Sequence, residues 1–172
     1  MDRKPIAIEN FAPRIFHLFD EQWLLLACGD FSRKHFNAMT ISWGSMGTIW
    51  DRPFVQVVVR PTRYTIEFMD RYDTFTVSAF GEEQRDALNL LGTTSGRDGD
   101  KIAASGLTPV ASQKVASPSF AEAELVVECR KIFQQGIDPG HFVDAGIGRF
   151  YPKKDYHRMF FGEVVGVFGG QT

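Results

Sequence analysis

The sequence has few residues in the spacings that metal sites and disulfides require. Only two cysteines are present, Cys28 and Cys129, and they stand far apart without a Cys-x-x-Cys motif. A zinc site or a disulfide framework needs regular cysteine spacing, so neither is indicated. Both cysteines lie in apolar stretches, and we expect them to be small buried hydrophobic residues.

Histidine is also scarce, and no known catalytic motif accompanies it. The four histidines are His17, His35, His141 and His157, and no two have the i, i+4 spacing typical of metal ligands on a helix. We therefore predict no metal site. The nucleophile motif G-x-S-x-G, the P-loop and the turn G-x-G-x-x-G are absent as well. Their absence disfavours hydrolases, kinases and doubly wound dinucleotide-binding folds.

The chain lacks an excess of charge of either sign. Its formal net charge is −2 and its pI is about 6.1, whereas a nucleic-acid partner requires a basic face. No apolar run is long enough for a membrane span, and the N-terminus lacks the pattern of a secretion signal. We expect no nucleic-acid or membrane partner, and a cytoplasmic location.

Aromatic residues, by contrast, are abundant. They make up 13% of the 172 residues, and sixteen of them are phenylalanine. This length favours one compact domain, and we predict a single domain over residues 1–172 with its core at about 20–168. So many phenylalanines indicate a large core, an oligomer interface or a pocket for a flat ring.

The hydrophobic pattern predicts six or seven strands with short helices between them. Apolar runs and strict alternation give strands at 22–29, 36–45, 54–60, 74–79, 121–133 and 157–168. Pro5 and Pro13 argue against regular elements in the first twenty residues. No strand–helix repeat is visible, so we expect a mostly β fold with inserted helices, in the form of an antiparallel barrel.

Three short helices are predicted between these strands. Thr62 is the expected N-cap of the first helix. The second covers 82–91 and should stop at Gly92. The third covers 98–104 and should be capped by Asp98.

One strand carries a set of small polar side chains on a single face. In 37–44 (NAMTISWG) the alternation of a strand places Ala38, Thr40, Ser42 and Gly44 together. These small residues leave backbone groups open to a flat ligand whose edge alternates hydrogen-bond donors and acceptors. Taken alone, however, the segment is better explained as an ordinary edge strand with one face in water.

A second candidate site lies where a strand meets a helix, at 60–65 (RPTRYT). A helix start has free N–H groups and partial positive charge, and Arg63 adds a full charge, so the junction suits a phosphate. A capped surface helix with a solvated arginine explains it equally well. Further on, 93–101 (TTSGRDGDK) offers Lys101 as another anion contact, although a plain loop explains that segment better.

Taken together and in order, four segments resemble the flavin reductase-like family. The segment 36–44 (FNAMTISWG) resembles its Asn-x-Met-Thr-x-Ser-Trp motif, and 60–78 (RPTRYTIEFMDRYDTFTVS) resembles its strand–helix–strand stretch. The segments 95–109 (SGRDGDKIAASGLTP) and 156–168 (YHRMFFGEVVGVF) resemble its later motifs. Each motif is loose by itself, but four in the right order are fairly specific.

The resemblance implies an FMN-binding split β-barrel, of the flavoredoxin-like branch, that holds FMN noncovalently near the interface of a homodimer. It also implies an oxidoreductase or electron-transfer function. The residues it places at the isoalloxazine are Asn37, Thr40, Ser42 and Trp43, and Met39 is a further predicted cofactor-binding residue. Those it places at the phosphate are Arg63, Tyr64 and Thr65, with Lys101 near the cofactor.

The chain departs from the family at a triplet associated with the nicotinamide. Two-component flavin reductases carry Gly-Asp-His before the last strand, and His157 matches that histidine by its distance to the Gly-Glu pair of this strand. Tyr156 replaces the aspartate, and Asp155 stands one position earlier, which weakens the case for direct use of NAD(P)H. His157 and His141, the latter in a Gly-His-Phe loop, are the candidate catalytic residues.

Three functions stay open from the sequence. The first is an FMN-dependent oxidoreductase that receives electrons from NAD(P)H or from a redox partner. The second is an FMN-binding module or carrier without turnover of its own. The third is a barrel that has lost its flavin site, and the presence of Asn37, Arg63 and Lys101 speaks against it.

Overall fold

The computed structural model describes residues 3–169, which are mostly β with short helices. Ten strands occur in that range: β1 (Lys4–Pro5), β2 (Leu24–Asp30), β3 (His35–Ile41), β4 (Gly44–Ile49), β5 (Arg52–Val59), β6 (Thr74–Ala79), β7 (Pro109–Val110), β8 (Ser119–Phe120), β9 (Leu125–Gly136) and β10 (Arg158–Gly169). The α-helices described are α1 (Thr65–Arg71), α2 (Arg85–Thr93) and α3 (Lys101–Ser105). A π-helix covers His17–Gln22, and short 3₁₀ turns cover Ile8–Asn10, Glu82–Gln84, Pro139–His141 and Ala145–Phe150.

Eight of the strands form one antiparallel sheet whose path is open within residues 3–169. The order is β3-β2-β6-β9-β10-β5-β4, with β1 added on β10, while β7 and β8 form a separate ladder. The two end strands, β3 and β4, follow each other in the chain and are joined only by Ser42 and Trp43. This architecture confirms the predicted mostly β, antiparallel fold with inserted helices.

Strand pairing places the two-residue corner between β3 and β4 at one end of the sheet. Ile41, the last residue of β3, pairs with Leu24 at the start of β2. Gly44, the first residue of β4, pairs with Val57 near the end of β5. The corner therefore lies where the two ladders separate.

Two hydrophobic clusters cover the two faces of the sheet. Strand β2 contributes to both, with Leu24, Leu26 and Cys28 on one face and Leu25 and Ala27 on the other. Residues of α1 join the first cluster, and residues of α2 and α3 join the second. Because both faces of β2 are buried, its sequence is continuously apolar rather than alternating.

The predicted strand over 36–45 is wrong in one respect, because the chain forms two strands there. It leaves β3 after Ile41, turns at Ser42 and Trp43, and begins β4 at Gly44. The apolar pattern missed this break, since β4 is short and partly exposed and, within residues 3–169, pairs with β5 alone. Regular elements also occur in the first twenty residues, where β1 and the start of the π-helix contradict the expectation drawn from the prolines.

The helix boundaries differ from those predicted. Thr62 is not an N-cap: α1 begins at Thr65, and a turn in which Arg63 N donates to Arg60 O at 3.0 Å precedes it. Gly92 does not stop α2, which ends at Thr93. Instead, its missing side chain makes room for Thr40, whose Cβ would lie 3.2 Å from an added Cβ.

The third helix is capped by a different aspartate from the one predicted. It begins at Lys101, and Asp100 rather than Asp98 accepts a bond from Ala103 N at 3.0 Å. The backbone of Asp98 belongs to the preceding turn, in which its N–H donates to Ser95 O. The cap of α3 is therefore the next aspartate along the chain.

Cys28 and Cys129 are both fully buried, as predicted. Burial raises the pKa of the Cys28 thiol to about 12 and raises the pKa of Cys129 as well. Both thiols are therefore neutral at physiological pH and behave as core residues. Among residues 3–169, no helix combines the length and the apolar character that crossing a membrane requires.

Candidate functional site

A pocket of about 210 Å³ lies beside the corner where the two ends of the sheet separate. Its lining comes from the end of β3, the corner, the end of β5 and the segments that follow β5 and precede β10. The lining residues are Met39, Thr40, Ile41, Ser42, Trp43, Val58, Arg60, Arg63 and His157. Three residues predicted at the isoalloxazine thus share one pocket with Met39, with one residue predicted at the phosphate and with one catalytic candidate.

The corner is held in shape by close packing beneath it. A Cβ added to Gly44 would lie 2.5 Å from Gln56 O and 2.5 Å from Phe19 Cε1, so only glycine fits there. Phe19 belongs to the π-helix, a form of helix often found at functional sites. Ser42 and Trp43 are both exposed above this packing.

Residues before the corner follow the predicted alternation. The side chain of Met39 packs in the cluster that includes α1. The hydroxyl of Thr40 donates to the Leu88 carbonyl of α2, on the other face of the sheet. The regular strand ends at Ile41. The side chains of Ser42 and Trp43 are therefore not restricted to opposite faces.

His157 contributes a nearly buried imidazole to the pocket. It is 8% exposed, its Nδ1 lies 2.9 Å from the Tyr151 hydroxyl, and its ring lies 5.2 Å from that of Trp43. Burial, followed by the positive charge of Arg60, lowers its pKa from 6.5 to about 4, while the negative charge of Asp155 acts in the opposite direction. The imidazole is therefore neutral at pH 7.

Arg60 lies at the same pocket, although the sequence analysis did not select it as a site residue. Its guanidinium donates to Asp155 Oδ2 and to Phe150 O, both at 2.9 Å, and stacks 5.1 Å from the centre of the Tyr151 ring. The position of Arg60 at the end of a strand, directly before Pro61, was a signal that could have identified it.

Arg63 and Lys101 meet at the end of α2. Arg63 Nη1 donates to Gly92 O at 2.7 Å, and Lys101 Nζ donates to Leu91 O at 2.8 Å and Thr94 O at 3.0 Å. Lys101 is 4% exposed, and burial together with the charge of Arg63 lowers its pKa from 10.5 to about 8. Within residues 3–169, neither cation forms a salt bridge with a carboxylate.

Three of the predicted cofactor-binding residues line a second, larger cavity. This cavity has a volume of about 470 Å³, and Asn37, Tyr64 and Lys101 are part of its lining. The amide of Asn37 donates to the Thr65 hydroxyl at 2.8 Å, and both side chains are buried. Asn37 and Thr65 therefore bond to each other, and the structure does not present them in the pocket of His157.

The segment before α3 covers these residues. A Cβ added to Gly96 would lie 2.6 Å from Asn37 Oδ1, and the Arg97 guanidinium lies 4.9 Å from the centre of the Tyr64 ring. Arg97 also forms an ion pair with Glu67 at 2.6 Å. The contact between these distant segments was not visible in the sequence.

The other catalytic candidate, His141, is placed elsewhere. It is exposed in the Pro139–His141 turn, and its Nδ1 lies 3.7 Å from Asp138 Oδ2. The structure therefore brings His157, but not His141, to the pocket at the corner.

Comparison with known proteins places these features in a family. The family model described as "Flavin reductase like domain" matches residues 19–171. The chain is also 28% identical to an uncharacterized protein of Pyrococcus abyssi over 131 residues, which is 75% of this chain and 63% of that protein. The chain thus spans less than two thirds of the length of this relative.

Solved structures show the same fold. An FMN-binding domain of a flavin reductases-like enzyme from Shewanella baltica has a TM-score of 0.69 and 16% identity, over 98% of this chain and 77% of that one. Flavoredoxin of Desulfovibrio vulgaris has a TM-score of 0.68 and 22% identity, over 93% of this chain and 74% of that one. At these identities the likeness shows the split-barrel fold alone.

Proposed function

The chain belongs to the flavin reductase like domain family, and from this we propose that it binds FMN noncovalently and acts as an FMN-dependent oxidoreductase. The cofactor would cycle between its oxidised and reduced forms in the pocket at the corner. Flavin-binding relatives of the same fold support this proposal.

The observation that carries the proposal is the cation pair at the end of α2. Placing a half-buried arginine beside a buried lysine is unfavourable, and no carboxylate within residues 3–169 forms a salt bridge with Arg63 or Lys101. The backbone carbonyls that they contact offset only part of this cost. A phosphate dianion would neutralise the pair, so these residues fit the phosphate end of FMN.

The corner fits the ring end of the cofactor. Trp43 is 42% exposed and offers an aromatic face, and the ends of β3 and β4 offer backbone donors and acceptors to a flat heterocycle. The pocket volume of about 210 Å³ is below the roughly 300–1,000 Å³ of typical ligand pockets. We therefore also propose that a second copy of the chain completes the site.

The flavin would supply the hydride and electron chemistry, and the protein would orient it. Arg63 and Lys101 would hold the phosphate, Trp43 would contact the ring, and His157 would lie within the same pocket. NAD(P)H or a redox partner protein would act as the electron donor. An FMN carrier without turnover is the alternative, because the family's Gly-Asp-His triplet is altered here to Asp-Tyr-His.

Binding is tested by titrating the purified protein with FMN and following the visible spectrum. We expect the Arg63→Ala variant to bind FMN more weakly by about 1.5–3 kcal/mol, the contribution of a hydrogen bond to a charged group. Arg52→Ala is the matched control, since Arg52 lies at the other end of β5 and pairs with Glu163 on the surface. Equal weakening in both variants, or no uptake of FMN by the natural protein, would refute the proposal.

Turnover is tested by mixing the FMN-loaded protein with NADH or NADPH without oxygen. Loss of the absorbance of oxidised flavin would support an oxidoreductase that uses the nicotinamide directly. Flavin that stays oxidised with both nicotinamides, yet is reduced by dithionite, would favour the carrier or a protein electron donor.

A further inference from the structure

Tyr151 forms a hydrogen bond with His157, which lines the pocket. The phenol oxygen lies 2.9 Å from His157 Nδ1, and the Tyr151 ring is almost fully buried. Phe142 and Tyr156 pack on this ring at centroid distances of 6.1 and 5.0 Å, and Arg60 stacks on it at 5.1 Å. The phenol therefore has a fixed position relative to the imidazole.

The surroundings decide which of the two groups donates the hydrogen bond. Tyr151 is only 6% exposed, so its hydroxyl has little access to water. Within residues 3–169, His157 Nδ1 is the side-chain acceptor that lies within bonding distance of the hydroxyl. A buried hydroxyl needs an acceptor, so the O–H of Tyr151 donates to Nδ1.

This bond fixes the tautomer of the imidazole. A neutral imidazole carries one proton, and an Nδ1 that accepts a bond leaves that proton on Nε2. Among the described residues, Nε2 has no hydrogen-bond partner. It still has some exposed surface, because Ser78 Oγ is the atom that is both unpaired and fully buried in that part of the chain. The Nε2–H group is therefore accessible, and His157 lines the pocket.

Charged neighbours hold the arrangement in place without bonding to the imidazole themselves. Arg60 is fixed by its bonds to Asp155 and to the Phe150 carbonyl. Its positive charge disfavours a second proton on His157, whereas Asp155 favours one. The ring of Trp43 covers another side of the imidazole at 5.2 Å.

We propose that Tyr151 is a positioning residue that fixes His157 as an Nε2–H donor toward a carbonyl oxygen of the flavin bound in the pocket. The identity of the acceptor rests on the proposed function, whereas the tautomer does not. A donor at a flavin carbonyl favours the reduced cofactor, on which more negative charge accumulates.

The tautomer is measured by long-range ¹H–¹⁵N correlation spectra of protein labelled with ¹⁵N-histidine, at pH 7 and without flavin. His157→Gln assigns the signals. We expect the natural protein to carry the proton on Nε2 of His157, and Tyr151→Phe to give a mixture of both tautomers. The matched control is Tyr72→Phe, because the Tyr72 hydroxyl lies 2.6 Å from His35 Nδ1 in the same manner, so this variant should change the signals of His35 only.

A proton on Nδ1 of His157 in the natural protein would overturn the proposal, and this measurement stands even when Tyr151→Phe does not fold. Unchanged His157 signals in a folded Tyr151→Phe variant would overturn it too.

The flavin contact is measured separately as the midpoint potential of bound FMN. Tyr151→Phe should lower the two-electron potential by about 30 mV, which corresponds to a tenfold change in the equilibrium constant. Tyr72→Phe should leave the potential unchanged, and equal potentials in all three proteins would overturn the proposed contact. Failure of the natural protein to bind FMN would refute the proposed function instead, since the tautomer is read without flavin.

Discussion

Arg63 and Lys101 donate to successive parts of one helix end, at the carbonyls of Gly92 for the arginine and of Leu91 and Thr94 for the lysine. The last carbonyls of a helix carry partial negative charge, which favours cations there. Partial charges do not neutralise two full charges, however, and the mutual repulsion contributes to the lowered pKa of Lys101. An anion bound at this end of α2, as proposed, would neutralise the pair.

The cation pair should distinguish FMN from riboflavin, which has the same ring system without the phosphate. Lys101→Met should weaken FMN binding by about 1.5–3 kcal/mol, because it removes a charged hydrogen-bond donor. The dissociation constant of riboflavin should change little. Both constants can be measured by quenching of flavin fluorescence, and an equal loss for both ligands would place Lys101 at the ring rather than at the phosphate.

FMN affinity should also depend on pH through Lys101. The lysine is charged below its pKa of about 8 and loses its proton above it. A phosphate binds the charged form better, so the affinity should fall as the pH rises through this value, by up to about tenfold per pH unit. Titrations at pH 7, 8 and 9 test this, and Lys101→Met should show no such fall.

His157 should make the folded protein less stable in acid. Its pKa is lowered to about 4, whereas in the unfolded chain it stays near 6.5, so the unfolded state binds more protons between these values. The contribution to the free energy of unfolding is therefore constant above about pH 6.5 and falls as the pH drops to 4, by on the order of 3 kcal/mol.

The check on His157 is urea denaturation of the natural protein and of His157→Gln at pH 7 and pH 4.5. The difference in stability between the two proteins should shrink or reverse at the lower pH. An unchanged difference would mean that the imidazole is protonated as easily in the folded state as in the unfolded chain.

Gly44 should not tolerate a side chain. A methyl group there would overlap with the Gln56 carbonyl and the Phe19 ring, and overpacking of this kind costs about 1–3 kcal/mol. Gly47→Ala is the matched control on the same strand, since its Cβ would lie 3.3 Å from Phe54 Cε1, at the end of a ring that can shift. Urea midpoints that fall equally in both variants would contradict the argument for the corner.

A partly exposed aromatic strip gives the proposed dimer a testable surface. It consists of Trp50, Phe54, Phe133 and Phe161, whose successive ring contacts lie at 5.3–5.8 Å. Trp50 is 59% exposed and occupies a tight turn in which both it and Asp51 have positive φ without glycine. Trp50 and Phe133 are exposed and Phe54 and Phe161 are half-buried, and aromatic residues are enriched at protein interfaces.

Light scattering after size exclusion should show a dimer for the natural protein and a monomer for Trp50→Ser combined with Phe133→Ser. Phe16→Ser is the control, because Phe16 is 90% exposed and is not part of the strip. A natural protein that is monomeric at micromolar concentration would refute the dimer.

Local sequence patterns predicted the strands well where local chemistry determines them. Strict alternation gave β6 its observed limits, Thr74–Ala79, and the β-branched run gave most of β5. The limits of α1 were wrong because a turn from Arg60 to Arg63 takes the place that a cap at Thr62 would have used.

The candidate site was harder to predict, because distant segments assemble it. The resemblance places Asn37 at the isoalloxazine, but its amide is bonded to Thr65 in the fold. Arg60 and Asp155, which bond to each other, lie 95 residues apart in the chain, and no local pattern connects them. The resemblance supplied the order of the motifs but not these contacts.

The break between β3 and β4 has a consequence for how this fold can diversify. Ser42 and Trp43 pair with no neighbouring strand in the described sheet, so substitutions there remove no ladder hydrogen bond. Met39, Thr40, Ile41 and Val58 line the same pocket from within paired strands, whereas Ser42 and Trp43 line it from outside the ladders. We therefore expect substitutions at these two positions to alter the proposed ligand site with little cost to the stability of the sheet.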